Sequence, residues 1–337
     1  MLPKRNEYLD IVKGIAMILV FLGHAIQQAD AINCYDNIIF DVIYSFHMPL
    51  FMLVSGYLFW NSYVKNKNNI GTLVLKRTRS LLLPLITFSV LLVPKTLLSS
   101  YMGGGHGITV KLIIGSFWNS FSGNFLWFLW AVLFSVCLSS LALKISQKFS
   151  LLLCLAFFML ALLVPDTLIY PMYKYLFLFF ITGLYFHKYN LIQKLNKKSH
   201  VYGGLIIGIA YIIIMQRFSR AYFEYDMNIT HLLSHMNISV FCIRYVLAYL
   251  GCGLALMIIW YGRSKLRIFT SVGRKSLGLY TFQCFILTWL NNKLAFIDEI
   301  YLSSLCIFVF VYALTVFVLK LSEKYKITRI IFLGYSN

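Results

Sequence analysis

Apolar runs of about 20 residues recur along the whole chain, broken by short stretches where Lys, Arg, Gly, Pro and Asn collect. Each run is long enough to cross roughly 30 Å of hydrocarbon as a helix rising about 1.5 Å per residue. The runs predict ten helices, near residues 8–28, 37–60, 80–100, 124–143, 150–165, 171–187, 201–216, 238–261, 273–291 and 300–320. A soluble fold would alternate apolar stripes with solvated faces, and this chain does not. The pattern therefore describes an all-α, polytopic membrane helix bundle forming a single integral-membrane domain over residues 1–337. Composition agrees, because 60% of the residues are apolar and only 12% charged.

Charge adds an orientation. If the N-terminus is cytoplasmic, the inner segments hold Lys4 and Arg5, then Lys65, Lys67, Lys76, Arg77 and Arg79, and later Arg263, Lys265, Arg267, Arg274 and Lys275. The outer segments hold few cations and most of the acids, among them Asp30, Asp36, Asp166, Glu224 and Asp226. That alternation is the positive-inside pattern for an even number of spans with both termini cytoplasmic. The net charge of +19 is thereby a matter of topology, and nucleic-acid binding is set aside because the cations do not share one amphipathic face. The start resembles a signal peptide but lacks a small-x-small cleavage site, so it is expected to remain as the first helix. Six of the seven cysteines lie in apolar runs without metal-ligand spacing, leaving Cys34 alone in a predicted outer loop; no metal site is expected. Two further outer loops, 101–123 and 217–237, are long enough to receive an acceptor or to serve as plain connectors.

Ionisable groups inside a span are costly and mark candidate sites. Lys13 and His24 sit eleven residues apart, about three helical turns, on one face of the first helix. A structural alternative exists for each: Lys13 snorkelling to the inner headgroups and His24 bundling helices. In FHMPLFMLVSGYLF, His47 stands two residues before the helix-breaking Pro49, and Ser55-Gly56 permit close packing. The basic run LKRTRS offers Lys76 and Arg79 as a phosphate clamp or as ordinary inner-face charge. Arg244 and Lys95 are further embedded cations with no local acid. VGRKSLGLYTFQ carries a polar seam of Ser276, Tyr280 and Gln283, which is either functional or interhelical glue.

In order, RNEYLDIVKGIAMILVFLGH, FHMPLFMLVSGYLF, LKRTRSLLLP, FLWFLWAVLFS, FLFFITGLYF and VGRKSLGLYTFQ resemble the acyltransferase-3 family of bacterial membrane proteins, in particular its sugar O-acetylase-like branch. The resemblance implies a ten-helix core in the bacterial inner membrane that uses acyl-coenzyme A, acetyl-coenzyme A above all, to acylate a hydroxyl of a cell-surface or lipid-linked carbohydrate. The family's basic residue, ten intervening residues and histidine fall on Lys13 and His24, with Lys where many members have Arg. Its paired basic motif falls on Lys76 and Arg79. Many members have a histidine where this chain has Gln283, which puts a proton-transfer role there in doubt.

A thioester already carries a good leaving group, so the chemistry asks chiefly for positioning and for a base to take the hydroxyl proton. Neutral histidine suits that task, which gives His24 as base and His47 as the group aligning substrate or stabilising the oxyanion, with an acyl-histidine intermediate left open. Lys13, Lys76, Arg79 and Arg244 are the expected donor-binding cations. The rival readings are a membrane transporter or flippase, weakened by the lack of an internal repeat, and a non-enzymatic sensor or scaffold.

Overall fold

The computed structural model describes residues 6–30, 34–66, 69–103, 109–190, 197–216, 227–228, 238–290 and 299–334. Among them all regular structure is helical. The helices are α1 (Glu7–Ala29), α2 (Ile38–Lys65), α3 (Ile70–Met102), α4 (Val110–Asn119), α5 (Trp127–Ile145), α6 (Ser150–Leu163), α7 (Pro171–Lys188), α8 (Lys197–Met215), α9 (Ile238–Gly262), α10 (Thr270–Arg274), α11 (Ser276–Leu290), α12 (Ile300–Lys324) and α13 (Lys326–Leu333). Six of these (α1, α2, α3, α5, α9 and α12) are long and apolar enough to cross a membrane, and the chain is a multi-pass membrane protein. Each of the ten predicted helices coincides with an observed one. Fewer than ten meet that measure of length and apolarity because α6, α11 and the apolar part of α8 are shorter, while α7 carries Lys174, His187 and Lys188.

Helix starts follow local chemistry. Asn6, Asn37, Asn69 and Thr109 cap α1, α2, α3 and α4, each side chain accepting from a first-turn backbone N–H that would otherwise lack a partner. Inside the helices, hydroxyls turn back on their own backbone: Ser55 donates to the Phe51 carbonyl at 2.8 Å and Thr182 to that of Leu178 at 2.9 Å. In lipid such bonds satisfy a polar group without breaking the helix.

Two boundaries differ from expectation. The basic run Lys76–Arg77–Arg79 lies within α3, whose Asn69 cap starts the helix ten residues before the apolar stretch becomes continuous. The expected outer loop 101–123 contains α4 and then a π-helical turn, Ser120–Asn124. Composition concealed α4 because its ten residues are too few for a span.

The tightest seam joins α2 to α7. A Cβ placed on Gly183 would stand 1.8 Å from the Leu53 carbonyl oxygen, and one on Gly56 would stand 2.0 Å from that of Phe180. Only glycine lets the two backbones approach this closely. At the α1 start, Glu7 pairs with Arg267 at 3.5 Å and Asp10 with Arg274 at 3.5 Å, while Lys275 meets Glu323 of α12. Segments assigned by charge to the same side of the membrane thus meet at one end of the bundle.

Candidate active site

A stripe of α1 builds the site. Lys13, Met17, Val20, His24 and Gln27 recur at helical spacing and line two adjoining cavities. The smaller, about 230 Å³, takes Lys13 and Met17 from α1, Met48, Phe51 and Ser55 from α2, Arg77 and Ser80 from α3, Phe128 from α5, and Ser276 at the start of α11. The larger, about 830 Å³, takes His24, Gln27 and Gln28 from α1, Tyr44 and His47 from α2, Lys95 from α3, and Tyr280, Cys284 and Thr288 from α11. Val20, Met48 and Tyr280 belong to both walls, so the two cavities adjoin there.

Both histidines chosen from sequence face the larger cavity. The Nδ1 of His47 is 2.7 Å from the Ile43 carbonyl, so that nitrogen carries the proton and the neutral ring presents Nε2 as an acceptor. Tyr44 fixes the arrangement from both sides. Its ring meets that of His47 edge-on at 4.9 Å, and its hydroxyl donates to Gln27 Oε1 at 3.3 Å, tying α2 to α1. Gly23, beside His24, leaves room for that ring: a Cβ there would lie 2.9 Å from Tyr44 Cε2. His24 Nδ1 is buried and accepts or donates no hydrogen bond among the described residues.

The cations divide. Lys13 lines the smaller cavity and pairs with Asp10 at 3.0 Å. Lys76 and Arg79 are exposed and line neither cavity, whereas their neighbour Arg77 does, with its guanidinium donating to Ser62 Oγ at 2.8 Å. Arg244 also lines neither. It is buried in α9 with its guanidinium 4.8 Å from the centre of the Tyr175 ring, so it stands behind a residue that faces the larger cavity. Lys95 donates to the Thr288 carbonyl across the α3–α11 boundary. Gln283 is fully buried, and neither amide atom has a hydrogen-bond partner among the described residues.

Sequence reasoning missed Arg77 as the inward member of its basic run, and also Tyr44, Gln27, Val20 and Met48, although it singled out Tyr280 in the polar seam. The available signal was the α1 stripe itself: extending the Lys13–His24 line by helical spacing reaches Val20 and Gln27. Among the described residues no group of three or more His, Cys, Asp or Glu side chains could hold a metal ion.

A polytopic helix bundle with paired histidines facing one interior chamber and cations facing an adjoining one defines the class of membrane-embedded proteins built around an internal site. The chain belongs to the acyltransferase-3 family, described as an acyltransferase domain, which matches residues 6–319. It is similar to the nodulation protein NolL of Sinorhizobium fredii, 33% identical over 185 residues that cover 54% of this chain and 49% of that protein. It is also similar to NolL of Mesorhizobium japonicum, 31% identical over 194 residues, covering 54% and 48% respectively. The matches span about half the length of these curated relatives. No solved structure matches the chain.

Proposed function

We propose that this protein is a membrane O-acyltransferase that moves an acetyl group from cytoplasmic acetyl-coenzyme A to a hydroxyl of a cell-surface or lipid-linked carbohydrate. The observation that supports the reading is the pair of chambers adjoining at Val20, Met48 and Tyr280, with Lys13 and Arg77 in one and both histidines, together with Lys95, in the other. In this reading all ten helices of the core cross the bacterial inner membrane, with both termini in the cytoplasm.

The donor's phosphates stay at the cytoplasmic end, near Lys13 and Arg77 with Lys76 and Arg79 on the surface outside. Its thin arm runs through the narrow, largely apolar smaller chamber. Lys13 and His24 are separated by roughly 16 Å along α1, a span that a pantetheine-sized arm covers. The thioester then lies in the larger chamber. His24 takes the proton from the acceptor hydroxyl as its oxygen attacks the thioester carbonyl, the C–S bond breaks, and the thiolate leaves to be protonated as free coenzyme A thiol. His47, held by Ile43 and Tyr44, orients the reacting groups. Arg244 supports the wall through Tyr175.

Purified protein in detergent should release thiol from acetyl-coenzyme A and transfer radiolabelled acetyl to a membrane glycolipid extract. A transporter or scaffold would do neither, and failure of both would overturn the proposal.

A further inference from the structure

The larger cavity has a second kind of wall, supplied by the segment expected to be a loop. Thr109 starts α4 by accepting from Leu112 N–H at 3.2 Å, and the ten-residue helix turns Val110, Ile114 and Trp118 outward, all strongly exposed. Its other side runs into the π-helical turn Ser120–Asn124, which adds a residue to the turn and shifts the direction of the side chains that follow. Asn119 at the end of α4, Ser120 in the turn, and Phe125 and Trp127 after it line the cavity. The turn is also held from outside: the Trp130 indole N–H of α5 donates to the Phe121 carbonyl at 2.7 Å. The Phe121 ring is stacked on Phe117 at 5.4 Å and meets Trp130 edge-on at 5.3 Å. Trp130 itself does not line the cavity.

Unlike the α1–α2 wall, this wall carries no histidine among the described residues. It offers an amide that both donates and accepts, a hydroxyl, and the flat faces of Phe125 and Trp127, the latter 6.5 Å from Tyr170. None of the four side chains is charged. A few polar groups set among aromatic faces are what orients a neutral, hydroxyl-rich ring.

Building on the acyl-transfer reading, we propose that the π turn is the acceptor-reading element, that Asn119, Ser120 and Trp127 bind a neutral sugar ring, and that Trp130 is the positioning residue that holds the turn in place. The donor enters along α1 and α3, so the two substrates use separate walls of one chamber.

The test varies acetyl-coenzyme A and a membrane glycolipid extract independently. Asn119→Ala, and Trp130→Phe, which keeps a ring against Phe121 but removes the N–H, should each raise the extract concentration for half-maximal transfer about tenfold and leave the KM for acetyl-coenzyme A within about twofold. A parallel rise in both constants, or no change in the first, overturns the proposal. Retention of the same extract by His24→Ala protein in nanodiscs, read by native mass spectrometry, asks the question without chemistry. Retention lost on adding Asn119→Ala supports the wall, and unchanged retention overturns it. Absence of any transfer or thiol release by the wild-type protein would instead count against the acyl-transfer reading.

Discussion

Lys13 and His24 lie eleven residues apart on one stripe of α1, and each faces a different chamber of the same interior, with Val20 between them lining both. One helix thereby links the end of the bundle rich in ion pairs to the chamber that holds both histidines.

His24→Ala should lower kcat by about 10² to 10⁴ with protein abundance unchanged, as expected for loss of a general base. Steady-state transfer in detergent measures it. A loss below about tenfold would move the base to His47, whose Nε2 the Ile43 contact already sets as an acceptor.

Arg77→Ala should raise the KM for acetyl-coenzyme A about tenfold and spare kcat, because Arg77 faces the smaller chamber where the donor's charged end would sit. Acetyl-pantetheine, which lacks the nucleotide, should show little of that penalty. Equal losses for both donors would mean that Arg77 serves packing through Ser62 and does not read phosphate.

Cys34 was expected to report the outer face, yet it is buried against Ile26, Phe40 and Ile43. An impermeant maleimide should leave it unlabelled until the protein is denatured. Asp36→Cys in a Cys34→Ser background places the thiol at an exposed position two residues on and should label in intact cells. Labelling that appears only after permeabilisation would reverse the proposed orientation.

Lys174 is fully buried and pairs with Asp166 at 2.5 Å, and the other Asp166 oxygen accepts from the Met227 N–H at 2.9 Å. Asp166→Ala should destabilise the protein by about 3 to 5 kcal/mol, since it leaves a buried ammonium without its carboxylate. Lys174→Met with Asp166→Ala should recover much of that loss in a thermal melt. A double variant no more stable than Asp166→Ala would show that the pair acts by holding Met227.

Much of the fold was legible because lipid imposes one rule: backbone polar groups must pair within the segment, so apolar runs become helices. That is why all ten predicted helices coincide with observed ones. α4 escaped because ten residues fall short of a span, and the start of α3 was placed late because a cation-rich turn does not look like membrane even where an Asn69 cap begins the helix. In the site, Lys13, His24 and His47 were legible as ionisable groups in apolar surroundings. The choice of Arg77 over Lys76 and Arg79 was not, since residues one or two apart point in different directions and only the packed neighbours decide which faces inward. Tyr44 was equally silent: an aromatic residue in a membrane helix gives no sign that it will bridge two others.

The near-fusion of α2 with α7 bears on the frame of the chamber. Where Gly183 meets Leu53 and Gly56 meets Phe180, the main chains touch with no side chains between them to slide or repack. His47 and Tyr175 ride on these two helices, so the chamber walls they form are joined through this seam. In the acyl-transfer proposal the donor's arm would thread in from one side of this frame and the acceptor from the other, with only the acetyl group passing between them.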